Sequence, residues 1–144
     1  VQDPGNVGAI LRTAAAAGVG QALLGPGCAM AWSPKVLRAG QGAHFALTIH
    51  EDADLGAFMA DYRGTTAVTC LDDATLLYDA CWEGPLAWVF GAEGQGVSTE
   101  LIAAARLRIR IPMPGAVDSL NVAAAAAVCL FECLRRRGTI RGNP

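Results

Sequence analysis

The sequence predicts an α/β fold, a parallel sheet covered by helices on both faces. Short apolar runs of strand length alternate with segments of helical period, the pattern of strand–helix–strand units. The last helical segment is apolar nearly all the way round, which argues burial against a sheet or a second protomer. Three glycine-bearing segments with polar side chains each fall where a strand hands over to a helix. In open α/β sheets that is the edge at which ligands bind.

Taken in order, Val7, Ile10, Leu11 and Ala14 recur at helical spacing, so a first helix spans roughly 6–17 and Gly18 closes it. A short strand follows at 21–25, and Ser33 and Pro34 suit the cap and first position of a small second helix. Leu55, Phe58, Met59 and Tyr62 mark an amphipathic helix ending at Gly64, and the β-branched stretch Thr65 to Leu71 makes the next strand. Leu86 to Phe90 reads as a buried strand, Ser98 caps a helix to about Ala105, and Leu107 to Ile111 is a strand. Leu120 to Arg137 forms the long last helix, closed by Gly138, with Arg135 to Arg137 at its negative end. A parallel sheet ordinarily supplies a strand before the first helix, whereas this chain opens on a loop and a helix cap. The expectation is a fragment trimmed at its front edge.

At 144 residues and 53% apolar, the chain fits one domain, 1–144, with a single core. Its five cysteines are odd in number and lack CxxC spacing, and most sit in apolar runs, so they read as buried thiols of a reducing, cytoplasmic compartment. His44 and His50 fall in no ligand pattern, so metal-free chemistry is expected. The longest apolar stretch, Val122 to Phe131, is too short to span a bilayer, and no membrane partner is expected. A net charge of -2 creates no global field for nucleic acid, so any such binding uses local patches. Arg106, Arg108 and Arg110 alternate on one strand face, and Lys35 and Arg38 lie one helical turn apart. A solvated strand face accounts for the three arginines equally well.

The three motif segments are DPGNVGAILR (Asp3 to Arg12), FGAEGQG (Phe90 to Gly96) and IPMPGAVDSLN (Ile111 to Asn121). In the first, Arg12 stands nearly opposite the apolar stripe, flanked by Gly8, Ala9, Ala15 and Ala16. Such a bare face either meets solvent or lets another backbone approach, and a lone guanidinium there can fork onto a phosphate. An ordinary exposed arginine, and a simple cap at Asn6, are the plain alternatives. In the second segment the glycines run GxxGxG, not the GxGxxG of dinucleotide folds, around Glu93. In the third, Pro112, Pro114 and Gly115 force an irregular loop, Ser119 or Asp118 caps the last helix, and Asn121 falls in its first turn. Each segment alone passes for a turn or a cap, but their conjunction at three strand ends points to one composite site.

Read as NxGxxxR (Asn6, Gly8, Arg12), GxEGxG (Gly91, Glu93, Gly94, Gly96) and IPMxGxxxSLNV (Ile111 to Val122), the segments resemble, in order, the motifs of the SpoU or TrmH-type RNA ribose 2'-O-methyltransferases of the SPOUT superfamily. SPKVLRAGQGAHF at 33–45 is similar to a further segment of that family. The resemblance covers essentially the whole chain. It implies a C-terminal trefoil knot holding S-adenosylmethionine, homodimers whose sites are lined by both protomers, and ribosomal or transfer RNA as substrate. Topology rules alone would reject a knot. The resemblance also implies Arg12 as the catalytic arginine with Asn6 beside it, and Glu93, Ser119 and Asn121 completing the polar site. Backbone around Gly91, Ile111 and Leu120 would hold the cofactor, with Leu71 lining the same pocket. Gly40 and Ala123 depart from the pattern, since relatives often carry serine there, and many relatives carry an N-terminal RNA-binding domain. Two rival readings are a non-catalytic RNA-binding module of this fold and a nucleotide-cofactor oxidoreductase. The glycine spacing speaks against the second.

Overall fold

A computed structural model describes residues 1–138. Helix α1 spans Pro4–Ala16, started by Asp3, whose carboxylate accepts from the Asn6 N–H, and by Pro4 in the first turn. Gly18 ends it in the left-handed region, φ 76°, where a side chain would be strained. Strand β1 (Gln21–Leu23) leads to α2 (Pro34–Gly40), capped at Ser33, and then to β2 (Thr48–His50). Helix α3 (Leu55–Asp61) precedes β3 (Thr65–Thr69), β4 (Thr75–Leu76) and β5 (Leu86–Val89). Ser98 caps α4 (Thr99–Ala104), β6 (Leu107–Arg110) follows, and α5 (Val122–Arg136) closes the described chain.

All strand pairs are parallel, as expected, but the sheet comes in two parts. β1 pairs with β2, and a separate sheet has the order β4-β6-β3-β5. β2 and β4 were not foreseen, because Thr48–His50 and Thr75–Leu76 form no apolar run of their own, unlike the stretch at 21–25 that marks the equally short β1. Pairing alone defines them.

Helices do cover both faces of the larger sheet. Ala67 of β3 packs with Ile109, Leu77 and Cys129 of α5, whereas its neighbour Val68 packs with Met59 of α3 and Val97, with Leu101 of α4 beside them. A third cluster joins Val7 and Leu11 of α1 to Val36 of α2 and Leu24 after β1, and Leu130 of α5 packs against it. Part of the apolar girth of α5 thus goes into two clusters of its own chain, whereas Phe131 stays 46% exposed. The thiols divide: Cys129 and Cys133 are buried, but Cys81 is exposed, so burial of the cysteines as a set does not hold. Among the described residues no helix is long and apolar enough to cross a membrane.

Candidate active site

Strands β6, β3 and β5 are adjacent and parallel, so their C-terminal ends share one edge. Ile111 directly follows β6, Leu71 follows β3 by two residues and Gly91 follows β5 by two. The strand order therefore gathers three sequence-named residues along one rim, as ligand sites of parallel sheets require.

Past β5 the chain folds into a tight ring. Ala92 and Gly96 exchange two backbone hydrogen bonds, of 3.1 and 2.8 Å. Gly91 has to be glycine, because a Cβ there would overlap the backbone of Gly96 and Val97. Gly94 and Gly96 sit at φ 78° and 71°, so the ring's curvature also depends on residues without a side chain. Open space lies over the Cβ positions of Gly94, Gly96 and Gly115, which leaves that backbone accessible to a ligand.

Glu93, held in this ring, ties the three motifs together. Its carboxylate accepts from the Asn6 side-chain amide at 2.9 Å and from the backbone N–H groups of Gln2 and Asp3 at 3.0 and 3.4 Å. The Asn6 carbonyl oxygen in turn accepts from the Asn121 amide at 3.0 Å. Asn121 Oδ1 meanwhile accepts from the N–H groups of Ala123 and Ala124, at 2.9 and 3.3 Å. These donors, the Asn6 amide first and the Gln2 N–H next, hold the Glu93 carboxyl at about 2, well below its ordinary 4.5. Near neutrality it is a fixed anion.

Two cap assignments need correction. Neither Ser119 nor Asp118 caps the last helix; Asn121 does, because α5 begins at Val122 and the Asn121 oxygen lies within reach of two free N–H groups. Asn6 is not the cap of α1 either, since Asp3 takes that place and frees the Asn6 amide for Glu93. Asp3 and the Gln2 backbone are the site members that sequence reasoning missed. The Asp3-Pro4 pair, a cap followed by a first-turn proline, was the available signal.

The side chains of Arg12 and Ser119 form no hydrogen bond with any described residue, and both residues are exposed. Leu71 and Leu120, 54% and 43% exposed, give the rim apolar surface. The small-residue face near Arg12 is partly taken up by the chain itself: a Cβ at Gly8 would overlap Ala39 and the Val36 carbonyl of α2. Of the strand arginines, Arg108 is paired with Asp73 at 2.6 Å, while Arg106 and Arg110 are exposed. Lys35 and Arg38 are exposed on α2.

Residues 1–131 match the model of the SpoU rRNA Methylase family. The chain is 36% identical to "rRNA methyltransferase 3, mitochondrial" of Mus musculus, covering 94% of this chain and 45% of that protein. It is 34% identical to the "23S rRNA (guanosine(2553)-2'-O)-methyltransferase RlmP" of Bacillus subtilis, over 92% of this chain and 54% of the relative. Among solved structures, the AdoMet-bound rRNA methyltransferase from Sinorhizobium meliloti superposes with a TM-score of 0.86 at 32% identity, over 94% of this chain and 53% of that one. The chain thus spans about half the length of the curated relatives it matches.

Proposed function

The chain belongs to the SpoU rRNA Methylase family, and from that premise we propose that it is the catalytic domain of a methyltransferase that transfers a methyl group from S-adenosylmethionine to a ribose 2'-hydroxyl of ribosomal or transfer RNA. The observation that carries this reading is the hydrogen-bonded line Asn121–Asn6–Glu93, which draws three separate motifs to one strand edge.

The residues at that edge suit the cofactor. Exposed Leu71 and Leu120 offer apolar surface for an adenine, and the backbone around Gly91, Ile111 and Leu120 offers hydrogen-bonding groups for base and ribose. S-adenosylmethionine supplies an electrophilic methyl group when bound. The protein's task is then alignment, which for a well-oriented pair is worth effective molarities of order 10⁵ M or more.

Within this reading Arg12 binds a phosphate beside the target ribose and stabilises the alkoxide as its proton leaves. A guanidinium with a pKa above about 12 is a poor base, so charge stabilisation is its main role. Glu93, held ionised near 2, is likewise too weak a base for a ribose hydroxyl. It fixes Asn6 and the start of α1 instead. Ser119 lies in the exposed loop before α5, and in this reading it meets substrate or cofactor.

Asn6 and Arg12 are about 9 Å apart along α1 and about 120° apart around it, so one protomer's Arg12 stands away from its own Asn6. That offset favours a homodimer in which each site borrows an arginine. The C-terminal part is read as a trefoil knot on the strength of membership of the family alone. Free thiols fit a reducing compartment such as the cytoplasm.

The test is incubation of the protein with S-adenosylmethionine and ribosomal or transfer RNA, followed by mass spectrometry of the nucleosides. A new 2'-O-methyl nucleoside is expected. Binding of NAD in preference to S-adenosylmethionine by calorimetry would refute the reading, and cofactor binding without turnover on either RNA would leave an RNA-binding module.

A further inference from the structure

Building on the RNA substrate inferred above, we propose that the surface formed by Met30, Trp32, Lys35, Leu37, Arg38 and Phe45 is a stacking site for unpaired nucleotides of an RNA strand. Bases lie against the two aromatic rings while the cations hold the phosphates. Phe45 is 95% exposed and Trp32 56%, and Met30 and Leu37 are exposed as well. Large apolar side chains gathered in water mark a contact surface.

These residues converge on His44. Its ring lies 5.0 Å from that of Trp32, centroid to centroid, and a Cβ on Gly40 of α2 would meet it at 2.9 Å. A single 3-10 turn, Ala43–Phe45, brings Phe45 directly after it. His44 is buried and its Nε2 donates to the Ala31 carbonyl oxygen at 2.7 Å, so the Trp32 ring leans on a fixed support. A ring already held in place loses little freedom when a base stacks on it.

Charge sets this side of the molecule apart. None of the thirteen Asp and Glu residues falls within 4–50, whereas Arg12, Lys35 and Arg38 do. The segregation holds in space, because every buried residue of the cluster that joins α1 to α2 lies between Val7 and Leu47. A chain of net charge -2 thus presents one unit whose exposed charges are cationic, the local patch that phosphate binding requires where no global field exists. Glu51, the first acid after the stretch, is engaged by the Ala31 N–H at 2.7 Å. Arg12 connects the face to the chemistry: Gly8 packs on Ala39 and the Val36 carbonyl of α2, and Arg12 follows one turn later on the same side of α1. A strand whose phosphate is gripped by Arg12 can continue over Lys35 and Arg38, with its bases on Trp32 and Phe45. Unpaired RNA bases stack on aromatic side chains in this way, largely irrespective of sequence. A second copy is the poorer occupant, because an isologous contact through this face would set like charges together with no acid among residues 4–50 to offset them.

Fluorescence anisotropy at low salt, with a labelled oligouridine of about ten nucleotides as the probe, tests this. Phe45→Ala and Trp32→Ala should each weaken binding about tenfold, and Phe45→Trp should keep it. Tyr78→Ala, which removes an exposed ring outside 4–50, should bind like the parent. Lys35→Gln and Arg38→Gln should each reduce the salt slope by about one charge. An RNA duplex of equal length should bind parent and Phe45→Ala alike, since its bases are already stacked. Parent-like affinity for oligouridine in both Phe45→Ala and Trp32→Ala overturns the proposal. So does a lower sedimentation coefficient in either variant, which would make the face a contact between copies. Binding is read without turnover, so a protein that holds oligouridine through Phe45 yet transfers no methyl group would refute the proposed activity and leave this surface standing.

Discussion

Asn121 donates its side-chain amide to the Asn6 carbonyl oxygen at 3.0 Å, across 115 positions of sequence. The same Asn121 uses its other atom, Oδ1, to cap α5. One residue therefore fixes the start of the last helix and ties it to the first.

Substitution separates these two tasks. Asn121→Ala loses both and should cost about 1–2 kcal/mol, read as a lower urea midpoint. Asn121→Asp keeps a capping oxygen at a helix N-terminus but has no donor for Asn6. It should retain most of the stability yet bind S-adenosylmethionine more weakly, because the first and third motifs are no longer joined. If Asn121→Ala and Asn121→Asp lose stability equally, the cap is not the larger contribution.

Acid should weaken the protein in a defined window. Glu93 and Glu132 are both held at about 2, against an ordinary 4.5. For Glu132 the main cause is Arg135, bonded at 2.8 Å, with Arg136 at 2.6 Å. A carboxyl whose folded pKa is depressed stabilises fully above the unfolded value and loses that contribution as pH falls towards the folded one. Unfolding midpoints should therefore be flat above pH 5 and fall between about 4.5 and 2. Glu132→Gln should flatten part of that slope. It also deprives Arg136 of its charge partner, while Arg136 keeps its hydrogen bonds to the Leu77, Tyr78 and Ala80 carbonyls and its place 4.6 Å above Trp82.

Gly91→Ala should disrupt the ring after β5 more than Gly94→Ala does. The first puts a methyl group into the backbone of Gly96 and Val97, whereas the second meets open space and bears only the strain of φ 78°. Calorimetry with S-adenosylmethionine should find binding lost in Gly91→Ala and reduced in Gly94→Ala. Comparable affinity in the two variants would show that the ring tolerates displacement.

Thiol labelling at pH 8 should modify Cys81 well before Cys70, Cys129 and Cys133. It is exposed, whereas burial pushes Cys129 up to about 12 and also raises Cys133 and Cys70. Only denaturant should release Cys129 and Cys133. Rapid modification of either in the native protein would mean that α5 opens from the sheet.

Elements with enough residues to show a period were legible in the sequence. The stripe of α1 and the Ser33 and Ser98 positions before α2 and α4 fall where expected. So do β3, β5 and β6, which end one or two residues earlier than their apolar runs. β1 falls within the stretch expected for it, but β2 and β4 were not legible, because what makes Thr75 and Leu76 a strand is the backbone of β6 and not their own side chains. Glycines and polar groups at strand ends marked the site. The exchange of roles among Asp3, Asn6 and Asn121 was hidden, because any of the three can cap a helix and only the fold decides which amide is left over.

Arg12 gives the most direct test of the chemistry. Its side chain is exposed and bonds to no described residue, so Arg12→Lys and Arg12→Ala should leave the unfolding free energy within about 0.5 kcal/mol of the parent. Their effect should fall on turnover. Lysine keeps the charge but loses the planar fork that grips a phosphate, and a charge-assisted pair of this kind is worth about 1.5–3 kcal/mol. Methyl transfer should therefore drop about tenfold to a hundredfold in Arg12→Lys and further in Arg12→Ala, with cofactor affinity unchanged in both. Mixing Arg12→Ala with Asn6→Ala protein probes the shared site. If each site borrows its arginine, the mixed dimers hold one site with neither lesion and regain part of the activity that each variant alone has lost. Full activity in Arg12→Lys alone would remove the fork from the mechanism.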